Sequence, residues 1–292
     1  MIRFFDGGMG SMLNLAAGEL PEKLNISEPE RVFAVHKGYA DAGAEFITAN
    51  TFGANSLKYD NVDELVKAGV ALAKKAGKYV ALDIGPTGKL LKPMGDLEFE
   101  RAVELFAEVV RAGKDGSDVA IIETMSDMYE LKAAVIAVKE NSSLPIITSM
   151  IFDESGRLLT GGDVKSAVAM LEGLRVDAIG FNCGLGPKQM IPLVKELREC
   201  TSLPILVMPN AGLPESVDGK TVYNVSPDEF AQDMREIAKL GVSILGGCCG
   251  TTPKHIAKMI ELCKDIPDNV PEKKNDTVVC SYSSAVTIGE KP

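Results

Sequence analysis

Residues 119–150 read VAIIETMSDMYELKAAVIAVKENSSLPIITSM. The stretch begins with a short, β-branched apolar run, Val119–Thr124, and ends inside another, Pro145–Phe152. Near-continuous apolar runs of this length are typical of parallel strands, which are covered on both faces. Between the runs, Asp127 precedes a longer amphipathic segment that extends to Glu140, and aspartate is a favoured N-cap residue. The stretch therefore predicts a strand, a helix and a second strand parallel to the first.

The same alternation runs through residues 1–266. Further predicted strands, each an apolar run, are Ile2–Asp6, Phe46–Asn50, Tyr79–Ile84, Ala178–Cys183, Leu203–Asn210 and Ser243–Cys249. Further helices are predicted at Glu28–Ala42, Val62–Ala76, Leu97–Ala112, Asp163–Leu174, Pro187–Glu199, Pro227–Leu240 and Pro253–Cys263, with Ser27, Asn61, Asp163, Ser226 and Thr252 at their starts. Eight strands that are each followed by a helix predict an α/β fold of one domain, the (β/α)8 or TIM barrel. An open doubly wound sheet is the alternative, but it usually has fewer strands and a glycine-rich first turn.

After Ile266 the composition changes. Residues 267–292 contain Pro267, Pro271 and the polar run Glu272–Asp276, followed by a short serine-rich stretch. A segment of this length is too short to bury a core of its own. We therefore expect residues 1–266 to form the barrel and residues 267–292 to be an extended, linker-like tail.

The composition argues against several classes of function. Lys and Arg number 31 and Asp and Glu number 41, which gives a formal net charge of −10 and argues against a nucleic-acid or anionic-membrane partner. No apolar run approaches the roughly 18 residues of a membrane span, and the start, MIRFFDGG, lacks the pattern of a secretory signal. The 6 cysteines are unevenly spaced and do not indicate a disulfide framework. We expect a cytoplasmic enzyme.

Two predicted strands end in cysteine, at the end of the barrel where active sites of this fold lie. Cys183 ends the sixth strand, and Cys248 and Cys249 end the eighth. Three thiolates that meet at one rim can bind Zn²⁺ and leave a fourth position open for water or substrate. The alternative is that these cysteines are small buried apolar residues, which is the usual role of a free cysteine.

Seven short motifs occur in order along the predicted barrel. They are DGGMG (6–10), NTFGAN (50–55), GPTG (85–88), ETM (123–125), GFNC (180–183), MPNAG (208–212) and GGCCGTTP (246–253). Together they resemble the homocysteine S-methyltransferase family over residues 1–264, and GGCCGT with the upstream asparagine–cysteine pair is the most specific part. Within that family, NTFGAN, MPNAG and the tail are most similar to the homocysteine-binding module of cobalamin-dependent methionine synthases.

The resemblance implies a catalytic zinc ion held by Cys183, Cys248 and Cys249. Asn210, the asparagine of MPNAG, would occupy or approach the fourth position in the absence of substrate. Coordination deprotonates a thiol at neutral pH, and the thiolate is the nucleophile. Three anionic sulfur ligands would keep a bound substrate thiolate electron-rich.

The resemblance also implies how the substrate's amino-acid end is bound. Asp6 and Glu123, which end the first and fourth predicted strands, would bind the ammonium group, and the backbone N–H groups of Gly7 and Gly8 would bind the carboxylate. From the residues alone, the ordinary alternatives are that Asp6 caps a turn or helix and that Glu123 forms a salt bridge at the rim.

Other polar and sulfur-containing residues are expected to have ordinary roles. Gly161-Gly162-Asp163 is expected to cap a helix rather than bind an anion, and both histidines to lie on the surface or in the core as satisfied groups: His36 and His255. The remaining cysteines are expected to be reduced and uninvolved: Cys200, Cys263 and Cys280. Asp83 and the GPTG motif either line the pocket or shape a turn. Four methionines near strand ends either pack around an apolar methyl donor or fill gaps in the core: Met9, Met12, Met125 and Met208.

The family resemblance implies transfer of a methyl group to the thiol of L-homocysteine, giving methionine. The expected donor is methylcobalamin on another domain or protein. Residues 278–292 are similar to the junction that leads into the folate-binding barrel of methionine synthases, so the expected partners are corrinoid-binding and folate-binding domains or proteins. The chain would be a truncated multidomain protein or a stand-alone subunit. A betaine- or S-methylmethionine-dependent enzyme and a non-catalytic zinc- or thiol-binding module remain as alternatives.

Overall fold

One parallel sheet organises the chain. The computed structural model describes residues 1–15, 18–217 and 220–289. In chain order its strands are β1 (Arg3–Phe4), β2 (Phe46–Thr48), β3 (Tyr79–Ile84), β4 (Val119–Met125), β5 (Ile146–Met150), β6 (Ala178–Asn182), β7 (Ile205–Met208), β8 (Glu215–Val217), β9 (Lys220–Val222), β10 (Ile244–Leu245), β11 (Val278–Cys280) and β12 (Ala285–Thr287). Within the described residues, eight of these strands form a parallel sheet in the order β1-β10-β7-β6-β5-β4-β3-β2. The other four form two antiparallel hairpins, β8–β9 and β11–β12.

Helices cover the outside of the sheet. They are α1 (Met9–Leu13), α2 (Leu24–Ser27), α3 (Pro29–Asp41), α4 (Val62–Lys75), α5 (Phe99–Gly113), α6 (Met128–Asn141), α7 (Val164–Gly173), α8 (Pro187–Cys200), α9 (Pro227–Lys239) and α10 (Pro253–Cys263). One helix from α3 to α10 follows each strand of the sheet, which confirms the predicted (β/α)8 barrel. In the described stretches of the chain, none of the helices has the length and apolar character that crossing a bilayer requires.

Contacts between β1 and β2 close the sheet. Phe5 forms a parallel bridge with Phe46, and the N–H of Glu45 donates to the carbonyl of Phe4 over 2.8 Å. The rings of Phe5 and Phe46 stack with their centroids 4.7 Å apart. Apolar side chains fill the interior of the barrel: Phe5, Ala81, Val119, Ile121, Ile147, Ala178, Leu206, Met208 and Ile244. Because this interior is packed, a binding site has room only above it, at the end of the barrel.

Side chains at the helix starts behave largely as predicted. Asp127, Asp163 and Ser226 each accept a hydrogen bond from the backbone N–H three residues later. The prediction for Ser27 is wrong, because α3 begins at Pro29 and Ser27 belongs to the short helix α2. These caps fix where the helices begin, and so how long the loops between strands and helices are.

Six of the eight barrel strands stop earlier than predicted, where the motif residues begin, whereas β3 ends as predicted and β4 extends one residue further. The last barrel strand, β10, covers Ile244–Leu245 rather than Ser243–Cys249. Beyond it, the N–H of Gly246 donates to the carbonyl of Val207 over 3.1 Å, and the N–H of Gly247 donates to the carbonyl of Asp6 over 2.9 Å. The backbone thus leaves the regular ladder and crosses the end of the barrel, which carries the following cysteines inwards.

The tail lies along the outside of the barrel. Arg198 in α8 donates to the carbonyl of Asn269 over 2.8 Å. Further along, the hydroxyl of Tyr282 donates to Asp127 over 2.5 Å, beside the start of α6. The tail is therefore anchored to the barrel at both of these points. The division of the chain at residue 266 stays a prediction.

His36 in α3 lies in the core without a hydrogen-bond partner. Its side chain is fully buried, and among the described residues neither ring nitrogen has a partner. Burial lowers the pKa of His36 from its ordinary 6.5 to about 4. The prediction of a surface or core position for His36 is confirmed, since it lies in the core, but its ring nitrogens have no hydrogen-bond partner among the described residues. The fold therefore favours the neutral form of the ring.

We predict that the contribution of His36 to the free energy of unfolding falls between pH 6.5 and pH 4. The unfolded chain binds a proton on this histidine below about pH 6.5, whereas the folded chain binds it only near pH 4, so acid favours unfolding. The free energy of unfolding should therefore drop by about 2 kcal/mol between pH 7 and pH 5 from this group alone. Urea unfolding of the wild type and of His36→Leu at both pH values measures it. The same change in the free energy of unfolding between the two pH values in both proteins would contradict the assignment.

Candidate metal and substrate site

A cavity of about 350 Å³ opens at the carboxyl ends of the barrel strands. Its lining contains the three strand-end cysteines and four carboxyl side chains: Cys183, Cys248, Cys249, Asp6, Glu22, Asp83 and Glu123. Glycines and small side chains of the first loop complete one wall: Gly7, Gly8, Gly10 and Ser11. The chain thus brings together residues that are up to 243 positions apart in sequence at the end of the barrel where the fold places active sites.

The sulfur atoms of Cys183, Cys248 and Cys249 form a compact cluster. They all lie within 4.8 Å of one another, and the sulfurs of Cys183 and Cys249 are 3.9 Å apart. Two sulfurs on a tetrahedral zinc ion, each bonded at about 2.3 Å, are about 3.8 Å apart. The donor set and its spacing therefore fit a thiophilic metal ion, and since all three cysteines line the cavity, such an ion could take a further ligand from it.

Strand β7 lies between the two strands that carry these cysteines and holds both loops. The N–H of Cys183 donates to the carbonyl of Met208 over 3.2 Å, and the N–H of Cys248 donates to the carbonyl of Pro209 over 2.8 Å. Cys183 has a φ of 56°, in the left-handed region that residues other than glycine rarely adopt. A strained backbone that is held by its neighbours is typical of functional positions. Here the strain accompanies the turn of Cys183 towards the other two sulfurs.

The three thiols stabilise negative charge between them. Hydrogen bonds from Cys183 and then Cys248 lower the pKa of Cys249 to about 3. Hydrogen bonds to Cys183 and then to Cys249 raise the pKa of Cys248 well above the ordinary range, because these bonds are lost when the thiol gives up its proton. The cluster therefore holds a thiolate at neutral pH, and thiolate is the form that binds metal.

Asp6 and Glu123 lie on the wall of the same cavity. The carboxylate of Asp6 accepts from the N–H of Thr48 over 2.8 Å and from its hydroxyl over 2.7 Å. Burial raises the pKa of Asp6 to about 7, against the opposing effect of these bonds. Burial, then the charges of Asp6 and Cys249, raise the pKa of Glu123 to about 8. The described lining of the cavity contains no lysine, arginine or histidine, so a ligand ammonium would favour the ionised form of both carboxyl groups.

Gly7 and Gly8 pack tightly against the loop that carries Cys248. A Cβ on Gly7 would lie 2.5 Å from the Thr251 hydroxyl oxygen, and one on Gly8 would lie 2.6 Å from the Cys248 carbonyl oxygen. The N–H of Gly8 donates to the Thr251 hydroxyl over 3.1 Å. These glycines line the cavity as predicted, and glycine is needed there because any side chain would collide with Thr251 or Cys248. Their contact with a carboxylate stays a prediction.

Asn210 is buried behind the cysteines. Its side-chain oxygen accepts from the N–H of Cys249 over 3.1 Å, and its own N–H donates to the carbonyl of Leu185 over 3.0 Å. Both contacts are to the loops that hold Cys183 and Cys249. Asn210 therefore fixes the position of the cluster, and its role as a metal ligand stays a prediction.

Asn182 is a residue of the site to which the motif analysis gave no role. Its side-chain oxygen accepts from the N–H of Thr124 over 2.8 Å and from the hydroxyl of Ser149 over 2.7 Å. Its side-chain nitrogen donates to the hydroxyl of Thr124 over 2.7 Å and lies 3.9 Å from the Cys248 sulfur. Thr124 has a φ of 62°, so Asn182 holds a strained residue next to Glu123. A polar residue inside an apolar strand run was the signal in the sequence.

The structure places other predicted residues outside the site or at its edge. Asp163 caps α7 through the N–H of Ser166, as predicted, and Thr87 of the GPTG motif binds Glu130 rather than lining the cavity. Asp83 does line it. His255 binds the Val225 carbonyl and the cap residue Thr252 of its own helix. Two of the four methionines near strand ends reach the cavity, Met9 and Met208, and within the described chain the metal-type cluster does not include Cys200, Cys263 or Cys280.

We predict that Asn182→Ala lowers the free energy of unfolding by about 1–3 kcal/mol, since it leaves the partly buried N–H of Thr124 without its acceptor. Ser149→Ala is the matched control, because it removes one hydrogen bond and leaves Thr124 fully bonded. Urea unfolding of both variants measures the difference. A loss in Ser149→Ala as large as that in Asn182→Ala would contradict the role given to Asn182.

The chain is similar to several known proteins. Residues 3–263 match the family model described as homocysteine S-methyltransferase. Methionine synthases of Mycobacterium leprae and Mycobacterium tuberculosis are 31% and 30% identical over 98% of this chain, which spans 27% and 26% of their length. The metallated form of the homocysteine methyltransferase MmuM from Escherichia coli superposes with a TM-score of 0.76 over 88% of this chain and 95% of its own, at 23% identity, and shows the same fold. The chain belongs to the homocysteine S-methyltransferase family.

Proposed function

We propose that this chain transfers a methyl group to the thiol of L-homocysteine and so forms methionine. The observation that carries the proposal is one cavity whose wall holds three clustered cysteine sulfurs together with the carboxyl groups of Asp6 and Glu123. A homocysteine molecule has a thiol at one end and an ammonium and a carboxylate at the other. The two kinds of groups on the wall match the two ends of that molecule.

Cys183, Cys248 and Cys249 would hold the metal, which we propose to be zinc. Zinc bound to three thiolates would keep the substrate thiol deprotonated at neutral pH. The fit rests on the spacing of the sulfurs and on their access to the cavity. Asn210 would hold the cluster from behind through the N–H of Cys249.

The carboxyl groups would orient the substrate. Asp6, fixed by Thr48, and Glu123 would bind the ammonium group, and the loop at Gly7 and Gly8 would face the carboxylate. Held in this way, the sulfur approaches the methyl donor from one direction. The substrate sulfur supplies the electron pair of the new S–C bond while the bond from the methyl carbon to the donor breaks and the donor keeps that pair.

The rim of the cavity supports a large donor. Apolar side chains on the loops that follow the barrel strands are exposed, and of these Phe52 also lines the cavity: Leu20, Phe52, Leu57, Leu90, Met94, Leu159 and Leu213. Among them Leu159 is 75% exposed and Met94 is 55% exposed. Exposed apolar side chains on the loops at the active-site end of a barrel offer a surface for another protein. We therefore propose methylcobalamin on a corrinoid-binding domain or protein as the donor, with a folate-binding domain or protein as a further partner.

Cys248→Ala should abolish tight zinc binding and methyl transfer, because one of three metal ligands is lost. We expect zinc affinity to fall by more than about 100-fold, the upper range for loss of an outer-shell partner. Cys280→Ser, in the exposed tail, is the matched control and should retain both properties. Metal analysis after dialysis and a methionine-formation assay test the pair. Full activity of metal-free protein would refute the proposal.

A panel of methyl donors should give methionine with methylcobalamin and none with betaine or S-methylmethionine alone. The physical reason is that exposed apolar side chains on the strand-end loops fit a large partner, whereas a small quaternary ammonium or sulfonium donor needs an enclosed subsite. Radiolabelled methyl groups in each donor make the measurement direct. Turnover with either small donor would favour the alternative within the same family. Tight homocysteine binding without transfer from any donor would instead indicate a non-catalytic binding module.

A further inference from the structure

Asp83 is a buried acid with one carboxyl oxygen that has no hydrogen-bond partner among the described residues. It stands two positions after Ala81 on β3, so that it points into the barrel above the interior layer to which Ala81 belongs. The side chain is 5% exposed, and one of its carboxyl oxygens, Oδ1, has no hydrogen-bond partner among the described residues. Leaving a buried carboxyl oxygen unpaired costs free energy, so a ligand group that pairs with it would be bound favourably.

The surroundings of Asp83 contain further acids and no balancing base. Asp6, Glu22 and Glu123 line the same cavity, and no lysine, arginine or histidine is among its described lining residues. Glu22 is engaged by the fold itself, since it accepts from the N–H of Gly53 and from the hydroxyl of Tyr59, each over 2.5 Å. Three carboxyl groups, those of Asp6, Asp83 and Glu123, therefore face one cavity, and a cation that balances their charge would have to come from a ligand.

The electrostatics of Asp83 agree with this geometry. Burial, and then the charges of Glu123 and Asp6, raise the pKa of its carboxyl well above the ordinary range. The negative charges of the three acids therefore repel one another across the cavity. A cation that enters between them would relieve the repulsion of all three.

We propose that Asp83 is a third carboxyl group that binds the substrate ammonium and makes the site selective for thiols that carry an α-amino group. A primary ammonium has three N–H donors, and Asp6, Asp83 and Glu123 offer one acceptor group for each. The proposal rests on the proposed function, since it assumes that homocysteine enters this cavity. It adds a specificity-determining residue on β3 to the groups on β1 and β4.

The test compares two ligands that differ only in the amino group. Homocysteine and 4-mercaptobutanoate, which is homocysteine without its amino group, are titrated into the zinc-loaded 292-residue chain by calorimetry. Asp83→Asn should weaken homocysteine binding by about 10- to 100-fold, as expected for a lost charged hydrogen bond, and leave 4-mercaptobutanoate within about twofold. Asp83→Ser serves as a second variant, and zinc content and thermal unfolding check that each variant is folded.

Glu130→Gln is the matched control, because Glu130 is a buried acid that pairs with Thr87 and does not line the cavity. It should leave the ratio of the two affinities unchanged. If Asp83→Asn and Asp83→Ser weaken both thiols equally, Asp83 has a structural role and the inference is overturned; unchanged homocysteine binding overturns it as well. In both cases the wild type still binds homocysteine, so the proposed function stands. Wild-type protein that binds no homocysteine would refute the proposed function and this inference together.

Discussion

Three sulfur atoms from two distant parts of the chain must lie around one point, and the end of β7 sets their separation. The sheet order places β7 between β6 and β10. The carbonyls of Met208 and Pro209 accept from the N–H groups of Cys183 and Cys248, and Asn210 accepts from that of Cys249. The distances among the sulfurs therefore follow from strand pairing in the barrel. Any change that shifts β7 along its neighbours would change the geometry of all three cysteines.

The cavity next to this cluster is built for a cation. Burial and mutual repulsion raise the pKa values of Asp6 and Glu123 to about 7 and 8, and the fold supplies no base to its described lining. A protein tolerates such a concentration of buried acids when the strong packing of the rest of the barrel offsets its cost, and acids of this kind are common where ligands bind. The same groups that make the site unfavourable when empty make it selective when a positively charged substrate enters.

The sequence predicted the barrel well because its signals are local. Apolar runs mark the strands, and capping residues such as Asp127 and Ser226 mark where helices begin. The same strand assignment predicted that the cysteines and acids at the strand ends lie at one end of the barrel, since the fold brings these ends together. The hydrogen-bond partners of Asn182 and the packing of Gly8 against Cys248 could not be predicted, because they depend on contacts between residues far apart in sequence. The hairpins β8–β9 and β11–β12 are short and lie outside the barrel pattern, which left no periodic signal for them.

X-ray absorption spectroscopy of the zinc-loaded protein tests the central claim most directly. The account predicts three sulfur neighbours at about 2.3 Å together with one lighter atom, and a fourth sulfur in place of the lighter atom once homocysteine is added. A zinc site with fewer than three sulfur neighbours, or one that stays the same when homocysteine is added at saturating concentration, would contradict it.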